Sequence, residues 1–327
     1  MAAIRRILVA IKNPAARTFP AVTKAAQIAT ALGSRIELFH DMTATLYTGF
    51  PDGMMSDARA FEREHRVVRL DQLEKIAAPL LDRGLCVSVA AEWDYPAHEA
   101  IVRRAVATRA DLIVAHHHPG KHHGTWPLSL TDWELLRLSP VPVLLVKSPQ
   151  PYRHPVVLAA IDPLHAFATP ARLDSRILGL GALMAKGLHG KLHAVHAHMK
   201  IPVGAGPAVV TDARVGTELR REIAAIAGAA FERALRSTII PPRRRHLVGG
   251  DPASVIRNVS RKIGSDIVVL GALSRSGIKR AFIGDTAEHV IDELRSDLLV
   301  VKPANFTSRF PQAQRGVRVV PAPAPMP

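Results

Sequence analysis

The sequence predicts an α/β fold of two tandem, open, parallel five-stranded sheets flanked by helices. Three observations lead there. Strand-like runs rich in Val, Ile and Leu alternate with helical stretches, the pattern of parallel strands covered on both faces. A late stretch of the first half also recurs late in the second. Asp111-Leu-Ile-Val-Ala-His116 followed by Val143-Leu-Leu-Val-Lys147 is echoed by Asp266-Ile-Val-Val-Leu-Gly271 followed by Leu298-Leu-Val-Val-Lys302. Internal repetition of this kind marks one architecture used twice. Finally, 327 residues suffice for about two domains, each with its own core.

Each half supplies its elements in the same order. The first opens on the apolar strand Ile7–Ile11, then a helix over 19–32, a strand ending at His40 and a helix over 58–81. A third strand over Cys86–Ala91 leads to Asp94-Tyr95-Pro96, where a proline near the first turn starts another helix. The second half repeats this with a strand over Val156–Ile161, a helix over 174–188, a strand ending at His196 and a helix over 217–236. A strand over His246–Val248 and a helix from Asp251-Pro252 follow. The expected domains are 1–150 and 151–305. Residues 306–327, where Pro, Ala and Gln recur without apolar periodicity, are expected to form a disordered tail.

Composition narrows the function classes. No apolar run approaches the roughly 18 residues of a membrane span, and strand-like sequence begins almost at once, so no signal peptide is expected. A single cysteine, Cys86, allows no internal disulfide and fits a reducing cytoplasm; its place in a strand-like run predicts a buried thiol. The formal charge of +15 invites a polyanion. Aromatics, however, make up only 5% and are not interleaved with basic runs, so nucleic acid is not the expected partner. A small anionic ligand would use the same field.

Ligands of open parallel sheets sit beyond the carboxyl ends of the strands, where glycines let a backbone approach a phosphate. In the second half Gly271 follows the fourth strand and Gly284 precedes the next helix; in the first half His116 and Leu130 stand at those places. Together with Asp266–Gly277, Phe282-Ile-Gly284-Asp285-Thr286-Ala-Glu288 and Thr131-Asp-Trp133-Glu134, these residues resemble the universal stress protein family in its tandem-domain form. That resemblance implies the adenine-nucleotide α-hydrolase-like fold. Nucleotide-binding members carry G-x2-G-x9-G-[S/T], which the second half matches in spacing at Gly271, Ser274 and Gly284. Ser274 replaces the middle glycine and Asp285 the Ser/Thr. Members that hold ATP also use an Asp ending the first strand; Asp162 stands there in the second half, and Lys12 in the first. The resemblance therefore implies a candidate cleft of Asp162, Gly271, Ser274, Gly277, Gly284, Asp285 and Thr286. The first domain lacks the nucleotide determinants, with Pro119 at the place of Ser274.

Asp285 has its own reading. Asp285 with Glu288 three residues later matches a capping box, and a carboxylate there would repel phosphate. Thr131 with Glu134 forms the matching box in the first half. The histidines 116–118, 122 and 123 are expected in a solvated loop, since no carboxylate is adjacent to orient the rings. His193, His196 and His198 alternate along a strand and are expected to be partly buried, structural groups. His40 and His196 occupy matching strand ends, which suggests a shared role. No nucleophile elbow, P-loop or metalloprotease helix is present, and no metal site is expected. The resemblance implies a non-enzymatic, cytoplasmic stress protein working through contacts with other proteins of the stress response. It supports survival under starvation, oxidative or DNA-damaging conditions. The alternative is an ATP-binding, weakly hydrolysing signalling switch with ATP as the cofactor of the second domain. A basic nucleic-acid-associated protein is a third reading.

Overall fold

The computed structural model describes residues 3–43, 45–48, 55–117, 130–164, 172–199, 213–272, 294–308, 310–316 and 318–321. The chain forms two compact units. One comprises Ile4–Pro151 with the stretch from Thr307 onward, and the other Tyr152–Phe306.

The first unit contains β1 (Arg6–Ala10), α1 (Pro20–Leu32), β2 (Arg35–Met42), β3 (Thr45–Thr48), α2 (Met55–Leu81), β4 (Val87–Trp93) and α3 (Ala97–Ala107). It continues with β5 (Leu112–His116), α4 (Leu130–Leu138) and β6 (Val143–Val146). Its main strands lie in the order β4-β2-β1-β5-β6, every pair parallel. Ile7, Leu8 and Val9 of β1 and Leu112, Ile113 and Val114 of β5 are buried, as expected where helices cover both faces.

The second unit repeats the plan with β7 (Val156–Ala160), α5 (Leu173–Gly187), β8 (Lys191–His198), α6 (Ala213–Leu235), β9 (Arg245–Gly249), α7 (Pro252–Ile263), β10 (Ile267–Gly271) and β11 (Asp297–Val301). Its order is β11-β10-β7-β8-β9, again parallel. Local chemistry sets the ends of α7. Asp251 accepts a hydrogen bond from the Ser254 N–H at 2.9 Å, Pro252 occupies the first turn, and Gly264 closes the helix at φ 60°. Only glycine takes that left-handed conformation without a steric cost.

Three expectations meet a different structure. Cys86 is exposed, because the strand begins one residue later at Val87 and Cys86 contributes only its carbonyl, to the Ile36 N–H. The capping box of Thr131 and Glu134 does not form: α4 starts at Leu130, Thr131 lies inside it, and Glu134 pairs with Arg137 one turn on. The tail expected from 306 returns to the first unit. Phe310 is buried there, Ser308 donates to the Leu138 carbonyl, and Gln314 and Arg315 reach acidic side chains. A short strand, β12 (Arg318–Pro321), then pairs in parallel with β3. Apart from the single buried Phe310 the strap is held by polar contacts, so apolar periodicity gave no sign of it.

Among the described residues no helix is long and apolar enough to cross a membrane.

Candidate functional site

The carboxyl end of the second unit's sheet holds two of the expected site residues. Register pairs Val269 with Ala159, so Gly271, the last residue of β10, and Asp162, two residues past the end of β7, lie at the carboxyl ends of neighbouring strands. Asp162 is anchored by its backbone, whose N–H donates to Asp174 Oδ1 at 3.1 Å in the first turn of α5. Its carboxylate stays 62% exposed and available to a ligand.

Next to it, His196 at the end of β8 is 2% exposed. Its Nδ1 donates to the Ile161 carbonyl at 3.2 Å, which leaves Nε2 as a lone-pair acceptor. Nε2 is buried without a partner among the described residues. Burial lowers the His196 pKa, although the Ile161 bond and the Asp162 charge oppose that shift. The Phe231 ring of α6 lies 6.1 Å from the imidazole. A buried imidazole acceptor beside an exposed carboxylate is suited to a ligand carrying hydroxyl or N–H donors.

Gly271 has a packing explanation. A Cβ at this position would stand 2.6 Å from Leu173 Cδ2 and 3.0 Å from Ile177 Cδ1. Leu173 and Ile177 are themselves buried, so the glycine lets α5 sit close against the strand end. Ser274, Gly277, Gly284, Asp285 and Thr286 lie outside the described residues.

The first unit uses the same place differently. His40 at the end of β2 donates from Nδ1 to the Ile11 carbonyl at 2.8 Å, the counterpart of the His196–Ile161 bond. The shared histidine role expected from the matching strand ends is therefore structural in both units: each imidazole ties the second strand to the residue following the first. Beyond that bond the units part. Lys12, exposed, occupies the place of Asp162. With Asn13, Phe19, Pro20 and His116 it lines a cavity of about 40 Å³ among the described residues, room for a few waters. Asp41, on the neighbouring strand, is raised to about 7 by burial, with repulsion from Asp94 adding and Lys12 opposing.

His117, expected in a solvated loop, is instead held by a carboxylate, with Nδ1 3.0 Å from Asp132 Oδ2. The two are 15 positions apart and meet only because α4 folds back on the end of β5. His118, Pro119, His122 and His123 lie outside the described residues. In the second unit His193 and His246, on neighbouring strands, stack at 5.3 Å with Nδ1 and Nε2 3.0 Å apart. Burial, then His246, Arg244 and Lys191, lower the His193 pKa to about 4. Among the described residues no group of three His, Cys, Asp or Glu could hold a metal.

Comparison with known proteins gives one result across the chain. The sequence pattern of the Universal stress protein family matches residues 3–147 and 172–302. Universal stress protein E of Salmonella typhi is 29% identical over 330 residues, covering 94% of this chain and 96% of that protein. Universal stress protein E of Escherichia coli K12 is also 29% identical, with the same coverage. A crystal structure from Pseudomonas aeruginosa UCBPP-PA14, put forward as a universal stress protein, is 26% identical. It superposes with a TM-score of 0.71 over 93% of this chain and 95% of that one. A universal stress protein from Archaeoglobus fulgidus shares the fold at 18% identity and a TM-score of 0.58, over 91% of this chain and 98% of its own.

Proposed function

Because the chain belongs to the universal stress protein family, we propose that it is a non-enzymatic, cytoplasmic stress protein. It supports survival under starvation, oxidative or DNA-damaging conditions through ligand-dependent contacts with other proteins. The ligand cleft belongs to the second unit, at the carboxyl end of its sheet beside Asp162 and Gly271. One observation carries this assignment: Asp162 presents an exposed carboxylate 4.0 Å from His196 Nδ1, and the other ring nitrogen, Nε2, is buried without a partner among the described residues. The matching end of the first unit offers a lysine and a cavity of about 40 Å³.

The ligand we favour is a small molecule with hydroxyl or N–H donors rather than ATP. Gly271 serves helix packing, Ser274 stands where nucleotide-binding members have glycine, and Asp285 would repel a phosphate. Titration calorimetry with ATP and ADP, each with magnesium, tests this. The expected result is no micromolar site. A one-site micromolar isotherm would favour the ATP-binding, weakly hydrolysing switch instead. Steeply salt-dependent DNA binding would point to the nucleic-acid reading.

A further inference from the structure

The strap of residues 307–316 meets the first unit as a peptide meets a receptor. Asp94 and Glu99 are 1% and 8% exposed, and one buried guanidinium, Arg103, serves both. Arg103 reaches Asp94 Oδ2 at 2.7 Å and Glu99 Oε2 at 3.1 Å, and it also donates to the strap's Pro311 carbonyl at 2.8 Å. Two carboxylates against one cation leave a buried surplus of one negative charge, which is costly away from water. The strap supplies the missing cation. Arg315 Nη2 stands 3.0 Å from Glu99 Oε1 and 2.9 Å from Oε2, and its guanidinium lies 5.7 Å from the Tyr95 ring centroid. Its backbone N–H donates to Asp94 Oδ1 at 3.0 Å, and the Gln314 amide donates to Glu92 Oε2 at 2.9 Å.

Side-chain charge, aromatic face and main-chain bonds thus converge on one Gln–Arg pair. The fold does not require this arrangement. In the matching helix of the second unit, Val255 and Val259 stand at the places of Glu99 and Arg103 and need no counter-ion. Arg315 is also 38% exposed, so its seat is shallow enough to exchange.

We propose that Glu92, Asp94, Tyr95 and Glu99 form a recognition site for an extended, arginine-bearing peptide segment of a partner protein. Residues Gln314 and Arg315 occupy that site in cis. The strap acts as a built-in competitor: a tethered segment competes at an effective concentration on the millimolar order. A partner therefore gains access when the strap lifts. This site is separate from the ligand cleft of the second unit and stands or falls without it.

The test is fluorescence anisotropy with a labelled peptide of residues 307–321, titrated with the full-length protein and with a Gln314→Ala/Arg315→Ala variant. The expected result is binding to the variant at least about tenfold tighter than to wild type. A peptide with alanine in place of the arginine should lose that binding. Equal affinity for the two proteins, equal affinity of the two peptides, or no binding to the variant would overturn the proposal. Hydrogen exchange on the wild-type protein provides a second readout independent of any variant's folding. Excess arginine peptide should speed amide exchange across 310–316 while the alanine peptide does not, and identical exchange with both peptides would overturn the proposal.

Discussion

The helix that follows the third main strand is built twice in this chain, once around charges and once around methyl groups. Among the buried residues of α3, which include Ala100, Ile101 and Val102, two are the charged Glu99 and Arg103; at their matching places in α7 stand Val255 and Val259, each as deeply buried as its counterpart. The valines stabilise their unit by leaving water and demand nothing further. The ion pair demands geometry, a third partner in Asp94, and a second cation from a strap more than 200 positions away. The same backbone thus tolerates both solutions, but only the charged one creates a surface that a peptide can read.

The largest effect should come from breaking the charged version. Arg103→Val leaves Asp94 and Glu99 buried with only Arg315 as counter-ion, and should destabilise the first unit by about 3–5 kcal/mol. Glu99→Val/Arg103→Val, which grafts in the pair of the second unit, should lose less than Arg103→Val alone because one carboxylate leaves with the guanidinium. Denaturant unfolding of the two variants would expose a failure of the comparison if the double change proved the worse. Val259→Ala in α7 should cost only about 1–2 kcal/mol.

A smaller contrast is set by pH. The first unit has Glu37 where the second has His193, and Glu37 is paired with Arg104. The His193 pKa lies near 4 in the folded protein, below its ordinary 6.5. The unfolded chain therefore takes up this proton first, and the contribution to stability is whole above pH 6.5 and lost as pH falls toward 4. Asp41 acts in the opposite sense, since its raised pKa makes the folded state hold a proton that the unfolded chain releases. Melting curves of wild type and His193→Gln at pH 7.5 and pH 5 isolate the histidine, because Asp41 is common to both. The variant should lose less melting temperature between the two pH values, and equal losses would remove His193 from the account.

The smallest expected effect concerns phosphate. Asp285→Ser should raise ATP affinity in the second unit, whereas Lys12→Asp should create none in the first, where His116 and Leu130 stand at the places of Gly271 and Gly284. Unchanged calorimetric curves for Asp285→Ser would show that Asp285 does not block the site.

Much of the fold was legible because its signals are local. Apolar runs such as Ile7–Ile11 and Val156–Ile161 became central strands, and His40 and His196 announced their shared role by position alone. What was not legible depends on partners brought together only by folding. Arg315 looks like one cation in a Pro- and Ala-rich end until Asp94 and Glu99 are seen beneath it. His117 gains its carboxylate from a helix 15 positions on. Gly271 carried a family signature, yet its immediate neighbours are Leu173 and Ile177, nearly a hundred positions earlier. A spacing pattern records where a glycine stands and not which group needs the space.

We propose that the two units have diverged, so that the small-molecule site is kept in the second alone. Native mass spectrometry of the purified full-length protein tests it most directly, with Asp162→Lys and Lys12→Ala measured alongside. One retained small molecule is expected on the wild type, lost in Asp162→Lys and kept in Lys12→Ala. A ligand-free wild type, or a ligand that survives Asp162→Lys and disappears in Lys12→Ala, would contradict it.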